Sequence, residues 1–407
     1  MVPNSISKLD LVQAQISEIP EDWQLCKVSE ALRIRNNFRK PISQEVRETM
    51  KGQYPYYGPT KIQDYISEYE QDGIYALIGE DGDHFLKYAT MPQTQFISGK
   101  CTVNNHAHIL ESSSICDSEW FFNYFKHRNI TNFLSRQGAG RFKLNKATLE
   151  KLPLLVPPLP EQRKIAQILS TWDRGIATTE KLIDASKQQK KALMQQLLTG
   201  KKRLIDPETG KAFEGEWEEV KLSEIVEVSN KKSTKSNQFP VITSSRKGIY
   251  LQEEYFKKQV ASEDNTGYKL VPRGYITYRA MSDDGLFRFN IQCMLDNSII
   301  SPAYGVFKFK DSCNSSFCLE VMNTKQTMSK INRLSQGGTR ISFKTSSFKE
   351  IPFVLPSLPE QQKIASVLTT ADKEIELLEA KLAHLKQEKK ALMQQLLTGK
   401  RRVSLSS

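Results

Sequence analysis

A block of 43 residues occurs twice in this chain without a gap. Leu159–Lys201 reads LPEQRKIAQILSTWDRGIATTEKLIDASKQQKKALMQQLLTGK, and Leu358–Lys400 reads LPEQQKIASVLTTADKEIELLEAKLAHLKQEKKALMQQLLTGK, at a constant offset of 199. A match of that length marks an internal duplication, so the fold must accommodate one frame built twice. Shorter echoes extend the frame. GAGRFKL (Gly138–Leu144) answers GGTRISF (Gly337–Phe343), LPLLVPPLPEQ answers IPFVLPSLPEQ, and EDWQLCKVSEAL around Trp23 answers GEWEEVKLSEIV around Trp217. Between these landmarks, residues 31–137 and 225–336 share little beyond YPYYG at Tyr54 and FPVIT at Phe239. The layout is domain, helix, domain, helix: 1–157, 158–201, 202–356 and 357–402, with a tail at 403–407.

Each repeated block carries the marks of a long helix. Pro160 and Pro359 sit in the first turn, where a missing N–H costs nothing, and Glu161 and Glu360 suit the positive end of the dipole. Gly200 and Gly399 follow as C-terminal stops. Apolar positions step alternately by four and three: Ile364, Leu368, Ala371, Ile375, Leu378, Leu382, Leu385, Lys389, Leu392, Leu396 in the second copy, and Ile165, Leu169, Trp172, Ile176, Thr179, Ile183, Ser186, Lys190, Leu193, Leu197 in the first. That is a coiled-coil seam, and the two helices pairing within one chain is its simplest use. In the first copy Thr179, Ser186 and Lys190 interrupt the seam. A helix of roughly 37 residues spans about 55 Å at 1.5 Å per residue. An antiparallel pair of this length relates two domains by a pseudo-twofold axis, the symmetry that meets two half-sites on a duplex.

The divergent segments read as mixed α/β. GIYALIG (Gly73), KYATM (Lys87), HAHIL (His106), GYITYRAM (Gly274) and YGVFKF (Tyr304) are strand-like runs, whereas SEWFFNYFKHR (Ser118) and SSFCLEVMNTK (Ser315) are helical. The predicted fold class is therefore α+β: two α/β domains joined by two long antiparallel helices in an intramolecular coiled coil.

Composition narrows the function classes. The 407 residues are 39% hydrophobic and 26% charged, as in a globular protein of more than one domain. No apolar run approaches the roughly 20 residues that span a bilayer, the N-terminus lacks a secretion signal, and no lipidation motif is present. A cytoplasmic location is expected. The six cysteines form no C-x-x-C pair and read as reduced thiols. Cys101, His106, His108 and Cys116 match no common zinc spacing, so no metal site is assigned. The net charge of +12 favours polyanions.

With the twin LPEQ…KKALMQQLLTGK helices, the G-x-x-R-[FI] turn before each and a tryptophan opening each half, the chain resembles the specificity subunits of type I restriction-modification systems over about residues 18–402. The resemblance implies two target recognition domains, each reading one half of a split, asymmetric site in double-stranded DNA, with the helices setting the gap. It also implies two methyltransferase subunits docked on the helices and a motor-nuclease subunit in the full complex. No catalysis is implied in this chain, and S-adenosylmethionine, ATP and magnesium are expected only on the partners. The residues agree. An amino-methyltransferase needs an [ND]-P-P-[YF] loop, and the one Pro-Pro here is Val156-Pro157-Pro158-Leu159. A motor needs G-x-x-x-x-G-K-[ST], which is absent. Glu80, Asp81 and Asp83 lack a matched Glu-x-Lys and read as acidic turn residues.

Base reading uses Arg and Lys on guanine and Asn and Gln on adenine, and phosphate contacts draw on Lys, Arg, hydroxyls and backbone N–H groups. On that chemistry, RIRNNFRK offers Arg33, Arg35, Asn36, Asn37, Arg39 and Lys40, and YPYYGPTK adds Tyr56, Tyr57, Gly58, Thr60 and Lys61. In the second half NKKSTK offers Asn230, Lys231, Lys232 and Lys235, and ITSSRKG adds Thr243, Ser244, Ser245, Arg246 and Lys247. Arg141 and Arg340 in the Gly-rich turns are either phosphate contacts or tethers at the domain–helix junction, and Trp23 and Trp217 pack the domain edge. The competing reading is a coiled-coil scaffold whose two domains bind proteins.

Overall fold

The computed structural model describes residues 6–137, 141–256, 264–335 and 341–405, without the side chains of 136, 137 and 141. The chain divides into two compact units, 1–180 with 380–407, and 181–379. This division differs from a linear succession of domains for a simple reason: each unit takes a part of both long helices, which run Leu159–Leu197 and Leu358–Leu396.

The first unit is built on a six-stranded sheet in the spatial order 33–34, 107–111, 71–79, 94–103, 51–57, 62–66. Its pairs are antiparallel except where Lys51–Tyr57 runs parallel to Thr94–Val103. Helix Ser118–Phe125 buries Trp120, Phe121, Tyr124 and Phe125 in the main core of the unit. The repeated frame forms a separate ribbon in which Gln24–Lys27 pairs antiparallel with the fully buried Pro153–Val156. Trp23, Ile165 and Leu169 join this core, with Leu396 at the end of the second helix and Leu397 just beyond it. Trp23 meets Trp120 edge to face at 5.5 Å. Its Nε1–H donates to Glu161 over 3.0 Å. Arg402 donates to the same carboxylate at 2.8 and 2.9 Å, and Glu161 is 3% exposed. Lys389 pairs with Asp173, and Lys386 with Glu180 at 2.7 Å, so in this unit the two helical segments run antiparallel.

The second unit repeats the frame on a different interior. Glu218–Lys221 pairs antiparallel with Pro352–Leu355, and a four-stranded sheet runs in the order 226–228, 304–309, 276–279, 290–291. Helices Ser315–Met322 and Lys325–Leu334 follow, and Trp217 packs edge to face on Phe317. Leu197, Leu198, Ile364 and Leu368 enter the core. Here Arg203 holds Glu360, Lys190 holds Asp372 at 2.6 Å, and Lys187 holds Glu379 at 2.6 Å. Each of these pairs is the offset-199 equivalent of one in the first unit.

All twenty seam positions are buried or half-buried. The polar interruptions have partners of their own: Lys190 reaches Glu320 at 3.6 Å as well as Asp372, and Ser186 bonds to Glu374. Both helices stop in the same way. Gly200 and Gly399 adopt φ +69, and the N–H two residues on bonds back to Gln196 and Gln395. This left-handed closure favours glycine. No helix among the described residues is long and apolar enough to cross a membrane.

Two local expectations change. Lys87–Met91 is not a strand, because Asp83–Lys87 forms a 3-10 turn that buries His84 and Phe85 and the chain continues in a turn. Helix Lys325–Leu334 was not foreseen, although Thr324 caps it by accepting from Thr327 N–H.

Candidate nucleic-acid interface

In the first unit the RIRNNFRK segment runs from the edge strand Arg33–Ile34 into a 3-10 turn at Asn36–Phe38. Pairing with Ala107–Glu111 sets Arg33 opposite Glu111. Arg35 donates to the Glu111 carboxylate at 2.8 Å, and Arg33 lies 3.7 Å from it. Asn36 is held at both ends of its amide: Oδ1 accepts from Ile109 N–H, and Nδ2 meets His108 Nδ1 at 2.9 Å. The other ring nitrogen of His108 donates to the Leu144 carbonyl at 2.7 Å, which defines a neutral imidazole, and burial holds its pKa down. Arg39 donates to Glu80 at 2.7 Å and to the Asn105 carbonyl at 2.9 Å. Burial pushes the Glu80 carboxyl up, and the Arg39 guanidinium bonded to it, with Lys143 nearby, more than reverses this. Lys40 pairs with Glu70, whose bond raises the lysine pKa. Apart from the exposed Asn37, the cluster is compensated from within.

Tyr56 is fully buried. It donates to the Lys40 carbonyl and accepts from Ile42 N–H, with Arg47 over its ring at 4.9 Å. It therefore offers DNA no surface and instead ties the two sequence clusters together. Tyr57 is half-buried and burial raises its pKa. Gly58 closes the turn by donating to the Lys61 carbonyl, which leaves the Lys61 side chain exposed. Arg141 lies on the strand Arg141–Lys143, paired with Gln137; Arg340 lies outside the described residues.

The second unit presents its cations differently. Asn230, Lys231, Lys232 and Lys235 are exposed around buried Ser233, which donates to the Asn265 carbonyl. Hairpin Ile242–Ser245/Gly248–Leu251 puts Arg246 and Lys247 at its tip. Ser244 is buried and accepts from Asn290, and Ser245 donates to the Gly248 carbonyl, so both hydroxyls shape the hairpin. Arg246 bonds Asp284 at 2.5 Å; with Ser282 and Leu286 N–H it brings that carboxyl down to about 2. Lys269 donates to the Tyr304 carbonyl and bridges to Lys232; burial first, then the Lys232 charge, depresses its pKa. Tyr304 in turn bonds Thr243, linking the two sequence clusters.

Between the hairpin and the segment 279–288 lies a cleft of about 480 Å³. It is lined by Arg246 and Lys247, and also by Arg279, Arg288, Tyr255 and Phe256, which the sequence reading did not select. No basic cluster in the sequence marks Arg288; the structure alone shows it exposed between the buried Phe287 and Phe289.

Residues 20–188 and 214–387 match the family model of the type I restriction modification DNA specificity domain. A type I restriction enzyme specificity subunit of Methanocaldococcus jannaschii is 26% identical over 413 residues, covering 95% of this chain and 94% of its own. A putative specificity subunit of Haemophilus influenzae is 35% identical over 148 residues, 36% of either chain. The crystal structure of a type I restriction-modification S subunit from M. genitalium superposes with TM-score 0.58 at 12% identity, covering 96% of this chain and 98% of that one. A further solved structure, from work on complex assembly and conformational transition of the type I R-M system, gives 0.52 at 14% identity, with coverage of 93% and 98%. At such identities the structural likeness speaks for the fold.

Proposed function

The chain belongs to the type I restriction-modification DNA specificity family, and from that premise we propose that each of its units reads one half of a bipartite, asymmetric DNA target. The paired helices, about 58 Å long at 39 residues each, set the gap between the halves and dock two methyltransferase subunits. A motor-nuclease subunit completes the assembly in the cytoplasm. The chain itself performs no chemistry, and S-adenosylmethionine, ATP and magnesium belong to the partners.

One observation carries this reading. The frame recurs contact for contact, Arg402–Glu161 as Arg203–Glu360 and Lys389–Asp173 as Lys190–Asp372, while the surfaces mounted on it differ in both residues and charge pairing. A constant frame with two unlike surfaces suits two unlike half-sites. Phosphate contacts would fix each unit on its half-site, and base-edge contacts would choose the sequence.

The test is selection from a random duplex library by the chain bound to its methyltransferase partners. Two short motifs separated by a fixed unread gap are expected. Recovery of no motif, or of one continuous motif, overturns the proposal, the first outcome favouring a scaffold for proteins.

A further inference from the structure

The two halves do not share the charge equally. Residues 1–157 hold 18 Lys and Arg against 18 Asp and Glu, whereas 202–356 hold 23 against 18, a net of +5. The difference is visible at one equivalent backbone position. In the first unit Glu80 N–H donates to the His106 carbonyl and the Glu80 carbonyl accepts from Leu144 N–H; in the second, Ala280 does the same with Ala303 and Phe343. Glu80, preceded by Gly79, is surrounded by Arg39 and Lys143 and consumes their charge. Ala280 consumes none, and the residue before it is the exposed Arg279. Arg279 and Arg288 line the 480 Å³ cleft, and neither has an ion pair among the described residues. Arg246 is tied to Asp284. With Lys247 and Asp283 also in the lining, the cleft is lined by four cations and one carboxylate.

Shape decides what such a cleft holds. Base edges are recessed in the grooves of a duplex, so reading them takes a protruding element. What protrudes from a duplex is its sugar–phosphate strand, a chain of anions that unpaired guanidinium groups and aromatic walls such as Tyr255 and Phe256 can enclose. We infer that the cleft of the second unit clamps the DNA backbone through Arg279 and Arg288, making this unit the electrostatic anchor of the chain. The inference rests on the reading that this unit binds DNA.

The experiment measures affinity against salt concentration, using the full chain with its methyltransferase partners and both cognate and scrambled duplexes. Each phosphate contact contributes about 0.9 to the slope of log K against log salt. Arg279→Gln and Arg288→Gln are each expected to lower that slope by about 0.9, together by about twice that, and to weaken cognate and scrambled DNA by the same factor. Arg279→Lys keeps the charge and should keep the slope. Lys61→Gln in the first unit serves as the comparison, and a larger loss of slope there than in Arg279→Gln or Arg288→Gln overturns the assignment of the anchor to the second unit. Thermal melts that match the parent exclude misfolding as the cause. An unchanged slope in both Gln variants refutes the clamp. So does a loss confined to cognate DNA with relaxed choice at one base pair, which would make Arg279 or Arg288 a base reader. If the parent complex itself enriches no bipartite motif, the functional reading fails; if it does and the variants bind like it, only the clamp fails.

Discussion

Arg203→Met should destabilise the second unit by about 3 kcal/mol, and the structure says why this exceeds the effect of its counterpart in the first. The Glu360 carboxylate is completely buried, and Arg203, 24% exposed, donates to it at 2.6 and 2.7 Å. Removing one partner of a buried pair costs roughly 3–5 kcal/mol, because the remaining charge stays desolvated; partial access of water to the Arg203 site puts the value at the lower end. In the first unit Glu161 has a second donor in Trp23 Nε1, and Arg402 is 41% exposed. In the second unit Trp217 Nε1 is buried with no partner among the described residues and gives Glu360 no such help. Arg402→Met should therefore cost only about 1–2 kcal/mol. Urea unfolding of fluorotryptophan-labelled protein resolves the two, since Trp217 alone reports on the second unit and Trp23, Trp120 and Trp172 on the first. With a denaturant slope of ~2–3 kcal/mol/M, Arg203→Met should lower the Trp217 midpoint by about 1 M. Adding Glu360→Gln should recover most of the loss, because the orphaned charge is then gone. A shift of the Trp217 midpoint smaller than that of the first-unit signals under Arg402→Met, or no recovery in the double variant, would refute the reasoning.

Burial drives the His84 pKa down to about 4 from an ordinary 6.5. The unfolded chain thus takes up a proton that the fold refuses, and stability falls as pH drops through 6.5 towards 4. This contributes about 2 kcal/mol of loss between pH 7.5 and 5 by calorimetry, which His84→Gln should remove. In Lys190→Met, Asp372 and Glu320 lose the cation between them; a drop of about 1 kcal/mol is expected in thermal melts, and no drop would deny the pairing. Gly305 packs against the buried Tyr278 ring, so Gly305→Ala should cost about 2 kcal/mol through overpacking, and neutral behaviour in denaturant titration would contradict the contact.

The frame was legible because duplication and heptad spacing are long-range patterns that survive local variation. The Ile165, Leu169, Ile364 and Leu368 seam was readable as such, and so were the stops at Gly200 and Gly399. The ion pairing was not: Lys190 looks like an interruption until Asp372 and Glu320, distant in sequence, come beside it. The interface was harder still. Arg35, Arg39 and Lys40 form a basic run in sequence, but Glu111, Glu80 and Glu70 come to them from three other segments and take up their charge. Tyr56 reads as an exposed turn aromatic and is instead fully buried. Arg279 and Arg288 stand out only once the hairpin tip folds over to face them.

The interleaving of the units bears on how the protein is made. A ribosome releases residues in order, yet the unit that contains the N-terminus needs Ala380–Leu396 and Arg402 to cover Ile165, Leu169 and Glu161. The half that is translated first is thus completed last, after every residue of the other has emerged. A chain that stops short of Ala380 keeps 181–379 whole and leaves Ile165, Leu169 and Glu161 uncovered, so residues 380–402 act as a seal on the unit begun before them.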